Sequence, residues 1–119
     1  MAVTVATSYA DSTAISASST AAEIMTVEVM ANPSNTATMF IQFFDAAAAT
    51  LGADIPILTM PIRPFAIQGA QTMQKMALHL GVRATTGLSF FVTNTYAVNT
   101  TAASGVNAPQ QVRVFWNPS

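Results

Sequence analysis

The chain has 119 residues and a formal net charge of −1, with charged side chains at only 8 % of positions against roughly 25 % in an ordinary soluble domain. That length predicts one domain, able to bury about two thirds of the surface that its unfolded chain exposes. The absence of cysteine excludes a disulfide framework and a thiolate metal site, and Arg63, Lys75, Arg83 and Arg113 are too scattered for a phosphate-binding face or a polybasic membrane patch.

Residues 1–22 are small, polar and β-branched, with Val3, Val5, Tyr9 and Ile15 as the sizeable apolar groups. They lack the basic start and continuous apolar run of a secretory signal, and no stretch approaches the ~20 apolar residues of a membrane span. A segment this poor in large apolar groups cannot build a core alone. It reads as an arm that orders against a neighbour or against its own domain, or else as an edge strand followed by a loop. The expected division is an N-terminal arm over 1–22 and a β-sandwich domain over 23–119. As an arm, it is expected to be removable over residues 2–20 with loss of binding and little loss of stability.

From Glu23 the sequence EIMTVEVM puts Met25, Val27 and Val29 on one face and Thr26 and Glu28 on the other, which is strand alternation. The cluster ANPSNT then predicts a turn. Over 38–50, TMFIQFFDAAAAT has two readings. A helix would align Phe40, Phe43, Phe44, Ala47 and Leu51 on one stripe. A strand alternates Met39, Ile41 and Phe43 against Thr38, Phe40 and Gln42, and the β-branched and aromatic content favours it. The strand is placed to about Asp45, with AAAATLGA as a connection. Next, ADIPILTMPIRPF carries Pro56, Pro61 and Pro64, which forbid a helix and suit an edge strand.

The same ambiguity recurs in TMQKMALHLG, where the strand reading is favoured and sets Met76, Leu78 and Leu80 against Lys75, Ala77 and His79. GLSFFVTNT is a strand, NTTAASGVNAP a polar loop, and QQVRVFW a last strand with Val112, Val114 and Trp116 on one face. About seven short strands separated by turn residues predict an all-β fold, an antiparallel sandwich.

Few residues offer chemistry. His79 is the single histidine, and no carboxylate adjacent in sequence would orient it as a base. Asp45 and Asp54 bracket the alanine-rich connection; they read as turn caps rather than as ligands of a Ca²⁺ ion, because no loop with calcium-binding spacing is present. Trp116 and Tyr96 suit a carbohydrate platform or, more simply, a core or interface role. Gly69, Gly81, Gly87 and Gly105 form no phosphate cradle and read as turn residues. Seven methionines suit an irregular core, with a methionine-rich contact surface as the alternative. No catalytic, cofactor-binding or metal site is expected, and a low-charge surface suits contact with other protein.

Taken in order, FIQFFDAAAATLGADIPILTMPI, PFAIQGAQTMQKMALHLGVRATTGLSFFVTNT and QQVRVFW resemble, in their layout over about residues 36–116, the head decoration (cement) proteins of tailed bacteriophages. The resemblance implies a β-sandwich or jelly-roll fold and a structural virion protein on the capsid surface, synthesised in the bacterial host cytoplasm. It also implies a homotrimer that clamps the major capsid protein lattice. No catalysis, nucleic acid, membrane or small-molecule substrate is implied. A tail, baseplate or head-fibre subunit and a carbohydrate-binding module are the alternatives. The expected capsid or subunit interface comprises Val3, Val5, Tyr9, Ile15 and Trp116.

Overall fold

The computed structural model describes residues 1–9, 14–30, 32, 38–62, 73–94 and 109–119 and, over 73–80, the backbone only. Eight strands follow one another: β1 (Ala2–Ala6), β2 (Ile15–Ser18), β3 (Ala22–Met30), β4 (Met39–Phe44), β5 (Leu58–Ile62), β6 (Met73–Ala84), β7 (Leu88–Thr93) and β8 (Gln111–Pro118). They form two four-stranded antiparallel sheets, ordered β1-β8-β3-β6 and β2-β7-β4-β5. Consecutive strands alternate between the sheets except at β4 and β5, which are neighbours in one sheet, and the two strand orders are those of a jelly roll. The expected antiparallel sandwich is the observed fold.

Both ambiguous segments are extended. β4 ends at Phe44, and Ala46, Ala47 and Ala48 after it lie in bends and turns, because the strand already buries its apolar face and a helix would lift Ile41 and Phe43 out of the core. β6 runs as a strand through 73–80. β5 is an edge strand, as its proline suits: Pro61 stands opposite Phe40.

The first 22 residues are where expectation and structure part. Their described residues form no separate arm, since β1 pairs with β8 along its whole length and β2 pairs with β7, one in each sheet. Ala6 and Ser18 are buried, and Tyr9 and Ile15 pack against the core. Of the two readings of this segment, an edge strand describes β1, followed by a second strand in the other sheet. Removing residues 2–20 would therefore take a strand from each sheet.

The core lies between the sheets. Val27, Val29, Val112 and Val114 from one face Met39, Ile41, Phe43, Met60, Ile62, Leu88, Phe90 and Val92 from the other. Phe43 and Phe90 meet with ring centroids 5.4 Å apart in a tilted pair. Each such phenylalanine contributes about 1.5–3 kcal/mol by leaving water. The alternation predicted for 23–30 holds at Val27 and Val29 and breaks at Met25. There the register shifts between Ile24 and Thr26, so that Ile24 is the fully buried residue and Met25 is half-buried. A bulge adds one residue and rotates the faces before it, which periodicity alone does not reveal.

Candidate interaction surface

The two outer faces of the sandwich differ. On the sheet containing β4 and β7, residues that point away from the core are still buried: Gln42, Phe44, Ser89, Phe91 and Thr93. Phe44 and Phe91 meet edge-on at 5.9 Å, and Ala14, Ala46, Ala49 and Leu51 pack over them. The 45–57 connection is held there by a bond from the Ala49 amide to the buried Ser89 hydroxyl at 3.1 Å and by one from the Ile57 amide to the Phe43 carbonyl at 2.8 Å. All of β7 is thus buried on both faces.

The sheet containing β1 and β8 presents its outer face differently. Cross-strand partners share a face, so the register sets Val3, Phe115 and Thr26 in one row and Val5, Arg113 and Glu28 in the next. Val3 and Val5 are 48 % and 52 % exposed, while Ala2, Thr4 and Ala6 take the less exposed side of β1. Arg113 Nε lies 3.5 Å from Glu28 Oε1, a surface pair contributing about 0–1 kcal/mol. The result is an apolar strip along one sheet edge, with one ion pair inboard of it.

The other expected interface residues are built into the fold. Trp116 packs against the core and its indole N–H donates to Thr4 Oγ1 at 3.0 Å, tying β8 to β1. The Tyr9 hydroxyl donates to the Ala6 carbonyl at 3.1 Å, and burial holds its phenol above the usual pKa. Ile15 packs partly buried against the core. Of the five residues, Val3 and Val5 are the exposed pair.

The two aspartates have separate structural tasks. Asp45, at the end of β4, receives hydrogen bonds from the Thr86 amide (2.7 Å), the Thr85 hydroxyl (2.8 Å) and, at 3.4 Å, the Gly87 amide, clamping the β6–β7 turn. Hydrogen bonding from the Thr85 backbone foremost, then from the Thr86 amide and the Thr85 hydroxyl, lowers its pKa from 3.8 to about 2. Gly87 must be glycine for packing: a Cβ there would lie 2.6 Å from the Ala47 amide nitrogen. Asp54 accepts from the Thr50 amide at 2.7 Å and closes a turn in which Gly52 has φ of 87°. Among the described residues no group of three or more metal-ligating side chains comes together, and no helix is long and apolar enough to cross a membrane.

His79 lies in the stretch of β6 opposite the register shift of β3, between the partners Thr26–Ala77 and Ile24–Val82. Of the glycines read as turn residues, Gly81 lies at the end of that stretch with φ of 75°. Tyr96, Gly69 and Gly105 lie outside the described residues. Met39 and Met60 are core residues, whereas Met25 and Met30 are half-buried. No protein-family model, curated protein or solved structure matches this chain.

Proposed function

We propose that this protein is a structural virion subunit that binds the outside of a phage capsid lattice and stabilises it by protein–protein contact, without catalysis. The observation that carries the reading is the asymmetry of the sandwich. One outer face is covered by its own chain, and the other presents exposed Val3 and Val5 beside Phe115, in a chain with only 8 % charged residues. The strip gains about 25 cal/mol per Å² of apolar area on docking, while the charged positions of the same sheet, Arg113 with Glu28 and Glu23 opposite Arg83, lie inboard of it. The jelly-roll strand order supports the same reading, by analogy of fold alone, because viral coat proteins commonly use it. The partner is the major capsid protein, and the protein acts as a homo-oligomer, for which the resemblance implies a trimer. The 45–57 connection and the β6–β7 turn are tied to the sandwich by hydrogen bonds and β1 is one of its strands, which suits a clamp against outward pressure.

Gold-labelled antibody against the chain locates it in intact particles. Labelling distributed over the head exterior is the expected result. Labelling confined to the tail or baseplate would replace this reading with that of a tail component.

A further inference from the structure

Among the described residues the two sheets have four edge strands, β1, β6, β2 and β5, and three of them carry features that discourage pairing with another chain. β5 has Pro61. β2 is four residues long with a register shift at Ser16–Ser18. β6 carries Lys75 and exposed Arg83, shifts register opposite Ile24–Thr26, and turns through Gly81 with φ of 75°. Short length, proline, charge and bulges are the usual ways of protecting a sheet edge. β1 has none of them. Its five residues AVTVA are uncharged, free of proline, and paired to β8 in unbroken register from Ala2 to Ala6.

The sequence of β1 also reads the same in both directions about Thr4. An antiparallel partner must oppose residues in reverse order, so a strand that is its own reverse is complementary to itself. Pairing two copies about Thr4 would set Val3 of each opposite Val5 of the other, Ala2 opposite Ala6, and Thr4 opposite Thr4. A two-fold axis perpendicular to the sheet keeps outer faces together, so all four half-exposed valines would meet on one side, flanked by the Phe115 side chain of each copy. Isologous contacts require such self-complementary patches. We propose that β1 is a homotypic interface: a second copy of this chain adds antiparallel to β1 about Thr4, joining two sheets into one of eight strands. This contact is distinct from any three-fold one, and it stands whether or not the protein sits on a capsid.

Light scattering on the full chain at micromolar concentration, in low and high salt, reads the assembly directly. The expected mass is an even multiple of the 12.5 kDa chain and resists salt, because screening weakens charge pairs and leaves apolar burial intact. Substituting Val3→Lys with Val5→Lys opposes like charges at both valine pairs and is expected to halve the mass. Val3→Lys with Val5→Glu opposes unlike charges in this register alone and is expected to retain it. Circular dichroism melts of both variants confirm the fold, since the substituted positions face solvent. A monomeric or trimeric wild type would overturn the proposal. So would a double-lysine variant of unchanged mass, or a Lys/Glu variant as dissociated as the double-lysine one. Failure to bind phage heads would leave these masses unchanged, so the two proposals fail separately.

Discussion

Asp45 shows how a single side chain fixes a connection between distant segments. Its carboxylate is bonded to three donors from residues 85–87, forty positions away, and its pKa is held at about 2 instead of 3.8. A depressed carboxylate pKa contributes stability that is fully present above the unfolded value and is lost as pH falls through the folded one. Thermal melts of the wild type are therefore expected to drop between these two pH values more steeply than those of Asp45→Asn, which lacks the titration. Equal slopes would mean that the clamp contributes nothing. Gly87→Ala tests the same turn by crowding: the new methyl would strike the Ala47 backbone, which cannot swing aside as a side chain does. It is expected to destabilise by about 1–3 kcal/mol in chemical denaturation, the usual cost of overpacking. Gly81→Ala meets the flexible Glu23 side chain instead, but its φ of 75° adds backbone strain of about 1–2 kcal/mol. Asp45 and Asp54 were legible as turn caps from their neighbours. The long-range partner of Asp45 was not, because nothing in the spacing of Asp45 and Thr85 brings them together before the sandwich does.

At the scale of elements, the strands with large inward residues declared themselves. Met39, Ile41 and Phe43 in β4, and Val112, Val114 and Trp116 in β8, alternate in sequence and face the core in the structure. β1 did not, for a physical reason. Its larger side chains, Val3 and Val5, point outward, and its inward positions hold Ala2, Thr4 and Ala6, so the alternation is inverted and resembles a segment with nothing to bury. β7 was legible as a strand from its content, although a strand covered on both faces shows no alternation at all. Because β1 and β2 belong to the sheets, deletion of residues 2–20 is expected to abolish cooperative unfolding by circular dichroism, not merely binding. A truncated chain that still melts cooperatively near the wild-type temperature would restore the picture of a dispensable arm.

For the whole molecule, fold and function differ in how far the sequence reaches. Turn residues at regular intervals and β-type segments were enough for an antiparallel sandwich, but the apolar strip on the β1–β8 face required the register that pairs Val3 with Phe115 and Val5 with Arg113. Val3 and Val5 were picked out as contact residues from their size among small neighbours. Tyr9 and Ile15, selected on the same ground, and Trp116, read as a core or interface residue, are partly buried in the fold because large apolar groups next to a core are drawn into it. The measurement that bears most directly on capsid binding is co-sedimentation of the purified chain with phage heads that lack it. Saturable binding to heads, abolished or weakened at least tenfold in a folded protein both by Val3→Lys with Val5→Lys and by Val3→Lys with Val5→Glu, which keeps the β1 contact, is the expected result, a loss of about 1.4 kcal/mol or more in binding free energy. Wild-type protein that stays in the supernatant at every concentration, or a double-lysine variant that binds as well as the wild type, would contradict it.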